Sequence, residues 1–223
     1  MERTFTVAQA KAFYDRLGAR QDNHGFYEDP ALSTLRDRAA FHTATSVFEF
    51  GCGTGRFAEL LLAEVLPPGS HYVGVDISST MVEFARERLR RWPNRAEVRL
   101  SDGSPELFAA DGSFDRVVST YVLDLLSEDD ISTVLAEAAR ILSRDGLLCL
   151  VSLTYGHGPF PGLVSLAWKK LHALRPQLVG GCRPIRLLDF LPAARWRVMY
   201  RDVISAFGIS SEVVVASHQT PLQ

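Results

Sequence analysis

The chain has 223 residues, of which 47% are apolar and 22% are charged, and its formal net charge is −2. This composition predicts a globular protein, either one large domain or one domain with a small appendage. It excludes a disordered chain, and the scattered basic residues disfavour nucleic acid as a partner. Cys52, Cys149 and Cys182 lack the spacing of a disulfide framework or a zinc site, which favours a reducing, cytoplasmic setting.

The N-terminal segment has the apolar spacing of helices. Apolar residues recur at helical intervals from Val7 to Leu17 and stop at Gly18, which predicts an amphipathic helix. A polar stretch with aromatic residues, "QDNHGFYEDPAL", follows, and a second helix is predicted near residues 31–42. Residues 1–45 are therefore predicted to form a helical segment that precedes the main repeat.

From residue 46 onwards, short apolar runs alternate with helical segments. Such alternation is typical of a parallel sheet with helices on both faces. Strands are predicted at 46–50, 71–77, 96–102, 114–121 and 146–153, and helices at 56–66, 79–92 and 130–142.

The C-terminal part departs from this alternation. Residues 156–194, with a helix predicted at 163–174, are expected to be an inserted cap on one edge of the sheet. A final hairpin with the turn "AFGIS" follows. The predicted fold is α/β: a doubly wound, Rossmann-like, seven-stranded and mostly parallel sheet with a C-terminal antiparallel hairpin, its core spanning 46–223.

Three glycines follow the first predicted strand in "EFGCGTG", at positions 51, 53 and 55. Ligands of open parallel sheets bind beyond the carboxyl ends of the strands, and glycine lets a ligand approach the backbone closely. A dinucleotide-binding loop would keep a glycine where this chain has Arg56. The acid Glu49 before the loop suits a ligand with a cationic group. The alternative is a strand-to-helix turn that merely needs glycine.

This loop resembles the first motif of the class I S-adenosylmethionine-dependent methyltransferases, an acid followed by Gly-x-Gly-x-Gly. The resemblance implies S-adenosylmethionine as cofactor and S-adenosylhomocysteine as product. It further implies that Gly51, Cys52, Gly53 and Gly55 wrap the methionine half of the cofactor, with Glu49 acting through the network that binds the ammonium group.

A second motif, "YVGVDIS", places Asp76 at the end of the second strand, 21 residues after Gly55. A carboxylate there can accept hydrogen bonds from both ribose hydroxyls, although an Asp in this place could also be a helix N-cap. By the resemblance, Ile77 and Ser78 lie along the adenosine, and Met81 packs near the adenine.

Two further motifs complete the resemblance. It implies that Asp102 accepts a hydrogen bond from the exocyclic amine of adenine and that the backbone of Gly103 meets a ring nitrogen; the alternative is an Asp-Gly turn. Ser119 at the end of the fourth strand is expected to bind the cofactor, and Thr120, Tyr121 and Leu123 would lie in the loop that faces the methyl group. The sequence Ser119-Thr120-Tyr121-Val122 differs from the Asn/Asp-Pro-Pro-aromatic motif of the family's DNA-modifying members, which argues against base amines as acceptors.

Four side chains are candidates for catalysis: Tyr14, His24, Tyr121 and His157. Helices with a "YD" pair such as "FYDRLG" close over the cofactor in many small-molecule methyltransferases that this chain resembles, which makes residues 1–45 an expected lid. Packing is the alternative role for both tyrosines, and a structural role for both histidines. The six histidines show no metal-ligand spacing.

The function predicted from these motifs is direct in-line methyl transfer to a small, moderately apolar acceptor, such as a phenol, a quinol, a polyketide or a lipid. The predicted helix at 163–174 carries leucines on one face, which suits an apolar substrate or contact with a membrane surface. No run reaches the ~18 apolar residues of a membrane span. The alternatives are a non-catalytic cofactor-binding module and an aminopropyl transferase using Asp124. The chain is expected to be a monomer or a homodimer.

Overall fold

The computed structural model describes residues 4–175 and 179–219. One seven-stranded sheet has the order β3-β2-β1-β4-β5-β7-β6. Its strands are β1 Ser46–Phe50, β2 His71–Asp76, β3 Ala96–Leu100, β4 Phe114–Thr120, β5 Leu142–Leu153, β6 Trp196–Ala206 and β7 Ile209–His218. The main helices are α1 Val7–Leu17, α2 Gly25–Arg38, α3 Arg56–Leu60, α4 Ser79–Leu89, α5 Glu128–Ile141 and α6 Pro159–Leu174.

The sheet confirms the predicted fold class. Strands β1 to β5 pair in parallel, whereas β7 inserts antiparallel between β5 and β6. The order reverses direction between β1 and β4, so a crevice opens beyond their carboxyl ends. The fold thus places the loops after β1, β2 and β4 around one point.

Alternating side chains of β1 enter two separate cores. Val47 faces α2, α3 and α4, while Phe48 faces α5 on the opposite side, and both are almost fully buried. This period of two is what a strand covered by helices on both faces requires. Because both faces of β1 are buried, the loop that follows Phe50 has a fixed position relative to the sheet.

The second helix begins earlier than the sequence predicts. It runs from Gly25 to Arg38 and includes Pro30, whereas the prediction began at residue 31 and extended to 42. Proline removes only one backbone donor, and the buried side chains Tyr27, Ala31 and Leu35 pack α2 onto the rest of the protein. Tertiary packing therefore overrides the local break.

The described residues of the segment 156–194 contact several elements. The Ile185 N–H donates to the Leu153 carbonyl of β5 (2.9 Å), the Leu187 N–H donates to Glu212 Oε2 of β7 (2.7 Å), and Cys182 lies beside Tyr14 of α1. Its role as a cap on one edge of the sheet stays a prediction. The buried Glu212 carboxylate accepts the hydrogen bond from Leu187 and so holds this segment against the sheet. The sequence pattern does not reveal this contact. Among the described residues, no helix is long and apolar enough to cross a membrane.

Candidate functional site

A cavity lies beyond the carboxyl ends of β1, β2 and β4. The loops after these strands form its floor, and α1, α2 and the turn between them form the opposite wall. The site thus lies at the reversal of strand order, where open parallel sheets bind ligands. Wall residues from the N-terminal segment are Phe5, Val7, Ala10, Tyr14, Gln21, Asp22, Glu28 and Leu32.

The three loop glycines each adopt a left-handed backbone, for different spatial reasons. Gly51 (φ +78°) lies against Val122, so an added Cβ would come within 2.3 Å of a Val122 methyl carbon. At Gly55 (φ +76°), an added Cβ would approach Ala85 of α4 to 3.1 Å. At Gly53 (φ +53°), an added Cβ would meet no atom within 4 Å. Gly51 and Gly55 therefore serve packing, and Gly53 leaves open space at the cavity.

We expect Gly51→Ala to destabilise the fold more than Gly53→Ala. Both substitutions cost about 1 kcal/mol of backbone strain at positive φ. Gly51→Ala adds a steric overlap with Val122, for a total of about 2–4 kcal/mol. Urea unfolding of both variants measures the difference. Equal losses of unfolding free energy would contradict the distinct roles assigned to the two glycines.

Asp76 ties the glycine loop to the end of β2. Its Oδ2 accepts from the Gly53 N–H (2.9 Å) and its Oδ1 from the Ser78 N–H (2.8 Å). Burial raises the pKa of Asp76 above its ordinary value. Because the carboxylate also lines the cavity, each oxygen has a lone pair left for a further donor there.

The residues after Asp76 divide into two roles. Ile77 and Met81 line the cavity. Ser78 instead caps α4: its hydroxyl accepts from the Met81 N–H (3.2 Å) and donates to Asp15 on α1 (2.6 Å). The side chain of Ser78 thus links α4 to α1 and does not line the cavity, and its predicted cofactor contact stays a prediction.

Glu49 is buried at the base of the cavity and accepts a hydrogen bond from the Tyr72 hydroxyl (2.6 Å). Desolvation, with a smaller contribution from the Asp76 charge, raises the pKa of Glu49 to about 8. The sequence analysis did not include Tyr72, although its spacing from Gly74 and Asp76 on β2 puts the three residues on one face. A cationic ligand group would stabilise the charged form of Glu49.

We expect Glu49→Gln to raise thermal stability at pH 8 but not at pH 4. A folded pKa of about 8 against an ordinary 4.5 means that the folded state binds more protons than the unfolded state between these values. Stability is therefore lost as pH rises through this window, by an amount on the order of 1–3 kcal/mol at pH 8. Melting temperatures of both proteins from pH 4 to pH 8 measure it. If the melting temperatures of the two proteins changed with pH in parallel, the Glu49 carboxylate would not be a buried charge that lacks a compensating cation.

The structure does not bring the Asp102 side chain to the cavity. It is exposed and accepts from the Ser104 N–H (2.9 Å), the geometry of an Asx turn. Gly103 does line the cavity, and an added Cβ there would approach a Val7 methyl carbon of the N-terminal segment to 2.3 Å. Val7 and Gly103 therefore form the wall at the place predicted for adenine.

The loop after β4 closes the side of the cavity next to the glycines. Thr120 and Tyr121 line it, whereas the Ser119 hydroxyl is buried and donates to the Phe50 carbonyl (3.2 Å). Tyr121 adopts a left-handed backbone (φ +57°), and its hydroxyl lies 2.8 Å from Ser211 Oγ on β7. The ring of Tyr121 thus faces the cavity, while its hydroxyl is engaged with the sheet.

The four catalytic candidates lie in different surroundings. Tyr14 lines the cavity, its hydroxyl lies 4.0 Å from Cys182 Sγ, and burial raises its pKa. His24 lies outside the cavity wall, and burial lowers its pKa. His157 is exposed and also lies outside the wall. The geometry brings together Tyr14 and Tyr121, and leaves both histidines apart from the cavity.

A buried acid that the sequence analysis missed, Glu28 of α2, lines the cavity on the side of the N-terminal segment. Its Oε2 lies 3.4 Å from Arg56 Nη2, and its Oε1 lies 3.8 Å from His24 Nδ1. Arg56 also donates a hydrogen bond from its other terminal nitrogen, Nη1, to Asp29 Oδ1. Burial outweighs Arg56 and raises the pKa of Glu28 to about 7. Glu28 was missed because the region was not predicted to be helical.

A second missed contact joins the N-terminal segment to the loop. Asp22 accepts from the Thr54 hydroxyl (2.6 Å) and from Arg88 Nη2 (2.6 Å), and Arg88 also donates to Thr54 (2.9 Å). All three side chains are at most partly exposed, which favours the charged pair more than at an open surface. These bonds hold the cavity's two walls together.

The comparison with known families agrees with this arrangement. Residues 47–146 match the family model described as a methyltransferase domain. These 100 residues, a little under half of the chain, match a methyltransferase domain. It begins at β1 and ends inside β5, so it contains the glycine loop, Asp76 and the loop after β4.

Curated relatives of this methyltransferase domain extend the likeness. The chain is 33% identical over 169 residues to the nocamycin O-methyltransferase of Saccharothrix syringae, covering 75% of this chain and 55% of the relative. It is 30% identical over 154 residues to the malonyl-(acyl-carrier protein) O-methyltransferase of Laribacter hongkongensis, covering 66% and 50%. The chain therefore spans about half the length of these relatives.

Solved structures share the fold of the domain together with its flanking helices and hairpin. The N-methyltransferase NodS of Bradyrhizobium japonicum WM9, in complex with S-adenosyl-L-homocysteine, superposes with a TM-score of 0.70. The alignment covers 95% of this chain and 99% of NodS at 17% identity. At that identity the likeness concerns the fold alone.

Proposed function

We propose that this protein transfers a methyl group from S-adenosylmethionine to an oxygen atom of a small, moderately apolar acceptor. The observation that carries the proposal is the convergence of the glycine loop and Asp76 on one cavity, with both Asp76 oxygens already bonded to loop N–H groups. The methyltransferase domain family of residues 47–146 supports the same chemistry.

The residues of the cavity fit this cofactor. Asp76 offers carboxylate oxygens for a ribose diol, and Ile77, Met81 and Val7 offer apolar surface for a base. Glu49, buried and without a cation beside it in the described residues, suits an ammonium group. Gly53 leaves room where a side chain would intrude. When bound, the cofactor supplies a methyl group on a cationic sulfur that is a good leaving group.

The task of the chain is then to orient an acceptor and remove its proton. Proximity and alignment can supply most of such an acceleration. We assign the orienting surface to Tyr14 and the ring of Tyr121, and the proton to Glu28, whose carboxylate lines the same cavity. With the cofactor bound, Glu28 would accept the hydroxyl proton of the acceptor, and the acceptor oxygen would take the methyl group that the cofactor supplies, leaving S-adenosylhomocysteine and a methylated acceptor.

The apolar lining supports an acceptor with apolar parts. Phe5, Leu32, Leu125 and Val134 contribute to the wall beside the polar groups. The two curated relatives described above are named as O-methyltransferases, which supports an oxygen acceptor. Phenols, quinols and polyketide-like or lipid-like hydroxyl compounds match this description. We assign residues 1–45 to a lid over the cavity and residues 46–223 to the methyltransferase core. Residues 156–194 are an inserted cap within that core.

Aminopropyl transfer needs acids that face the bound ligand. Asp124 is fully buried outside the cavity wall, and its Oδ2 accepts from the Leu153 N–H (3.2 Å). Its pKa is raised to about 7 by that burial. This environment suits a structural acid better than a ligand-binding one, so methyl transfer is the function we favour.

Calorimetric titration followed by an acceptor screen tests the proposal. We expect S-adenosylmethionine and S-adenosylhomocysteine to bind with 1:1 stoichiometry, and label from a methyl-labelled cofactor to appear on members of the phenol or quinol pools. Amines and phospholipids serve as comparison pools. If neither cofactor form bound at millimolar concentration, the proposal would be wrong. If both bound but label appeared on amines alone, the acceptor atom would be nitrogen instead of oxygen.

A further inference from the structure

Helix α6 presents apolar side chains to solvent. Leu163 and Leu174 are 65% and 77% exposed, and Phe160 at the start of the helix is 64% exposed. Phe207, in the turn between β6 and β7, is 78% exposed. We call the residues Phe160, Leu163, Leu166, Leu174 and Phe207 the apolar ridge. Contiguous exposed apolar surface of this kind marks an interaction site.

Polar side chains fix this orientation of α6. The buried Ser165 hydroxyl donates to the Pro161 carbonyl and accepts from the Gly156 N–H, both at 2.8 Å. His172 Nε2 lies 3.1 Å from the Gly181 carbonyl oxygen, and Trp168 Nε1 donates to the Cys182 carbonyl (3.0 Å). The side of the helix with Val164, Ser165, Trp168 and His172 therefore faces the protein, and its leucines face solvent.

The apolar ridge continues towards the cavity. An added Cβ at Gly208 would lie 2.7 Å from Phe160 Cε1, so α6 contacts the β6–β7 turn. The ring of Phe207 packs edge-on against Phe26 of α2, with centroids 5.4 Å apart. Phe26 in turn contacts Tyr27, whose ring packs against Tyr121 of the cavity wall. Exposed apolar surface thus leads from α6 to the lid helix.

Basic residues predominate around the apolar ridge. Residues 155–188 contain five Lys and Arg residues and no Asp or Glu, in a chain whose formal net charge is −2; Arg183 among them is buried, and Asp189 follows directly. Lys169 and Lys170 are exposed on α6, and Arg175 follows its last turn. Lys169 and Arg186 both lie over the Tyr155 ring, at 5.7 and 5.6 Å from its centroid. The surface therefore complements an anionic partner.

We propose that the apolar ridge docks on an anionic lipid surface. Apolar side chains would enter the boundary between headgroups and acyl chains, while the lysines meet the headgroup phosphates. A second copy of the chain is a poorer occupant, because a two-fold contact through the ridge would bring the same basic residues together. Docking depends only on this surface and does not require methyl transfer.

Sedimentation with lipid vesicles tests this inference on the full chain. We expect binding to phosphatidylcholine vesicles that contain phosphatidylglycerol, weaker binding at high salt, and little binding to phosphatidylcholine alone. Leu163→Glu/Leu166→Glu should reduce the bound fraction about tenfold, since it removes apolar contact and adds negative charge. Lys169→Glu/Lys170→Glu should remove the preference for anionic vesicles.

Met199→Glu is the matched control, because Met199 is an exposed apolar residue on the edge strand β6, away from the apolar ridge. It should bind vesicles as the wild type does. Circular dichroism and S-adenosylhomocysteine titration establish that each variant is folded. Failure of the wild type to bind anionic vesicles, or equal loss in the Met199 variant, would overturn the inference. The inference would also be overturned if the wild type were a dimer that Leu163→Glu/Leu166→Glu converts to a monomer. Binding to acidic soluble proteins but not to vesicles would overturn it as well.

Discussion

Asp76→Ala is expected to weaken S-adenosylhomocysteine binding by about 100-fold or more. A hydrogen bond to a charged group contributes about 1.5–3 kcal/mol, and the variant would lose those to the ribose hydroxyls. It also leaves the N–H groups of Gly53 and Ser78 without their carboxylate acceptor, which loosens the glycine loop. Calorimetric titration measures the affinity, and circular dichroism reports whether the variant is folded.

Asp102→Ala is the control for Asp76→Ala. Both acids follow a strand at the same end of the sheet, but the Asp102 side chain is exposed and bonded to its own turn. We expect its removal to change the affinity by less than about threefold, an amount typical of an exposed polar contact. A folded Asp76 variant with unchanged affinity would show that the binding site is assigned wrongly. A large loss in the Asp102 variant would show that this side chain reaches the ligand after all.

Glu28→Gln is expected to lower kcat by about 100-fold or more with an oxygen acceptor, while cofactor affinity stays within about twofold. General-base catalysis commonly contributes 10²–10⁴-fold, and glutamine keeps the shape of the side chain without its basicity. The base acts in its deprotonated form. Because the pKa of Glu28 is raised to about 7, the wild-type rate should fall as the pH drops below 7 and level off above it.

Asp29→Asn is the matched control for Glu28→Gln. Asp29 is the next residue on α2 and also pairs with Arg56, but its side chain is largely exposed. We expect it to keep most of the activity and the pH profile of the wild type. Loss of the low-pH limb only in the Glu28 variant supports a proton acceptor. Equal losses in both variants would instead indicate that Arg56 needs its carboxylate partners for structural reasons.

The sheet was predictable because its strands carry local signals. β1 matches its predicted bounds, and β2 and β4 end within one residue of theirs, because apolar runs bounded by glycine, proline and polar residues set these limits. The hairpin of β6 and β7 was equally readable. Such local patterns define each strand before any tertiary contact is known.

The helices that depend on distant partners were harder to predict. Pro30 and a polar stretch hid the start of α2, whose buried face becomes apparent only against the sheet. In α6 the leucines were predicted to suit an apolar substrate or contact with a membrane surface; Leu163 and Leu174 are exposed, and Ser165 and His172 lie on the side that faces the protein. A sequence pattern identifies the two faces of a helix but not which of them finds hydrogen-bond partners.

The candidate site divides in the same way. The glycine loop and Asp76 were predictable, since spacing after β1 and β2 fixes where they lie. Glu28 and Tyr72 were not, because their roles arise from contacts with residues more than twenty positions away. The predicted contact of Asp102 with adenine stays a prediction, and the exposed side chain, bonded within its own turn, gives it no support.

A single-turnover experiment tests methyl transfer itself. The protein in excess is mixed with methyl-labelled S-adenosylmethionine, with and without the phenol and quinol pools, and mass spectrometry follows both products. We expect S-adenosylhomocysteine and labelled acceptor to appear in equal amounts, at a rate that Asp76→Ala abolishes. Tight cofactor binding with no label leaving the cofactor in the presence of any acceptor pool would contradict methyl transfer and leave a cofactor-binding module.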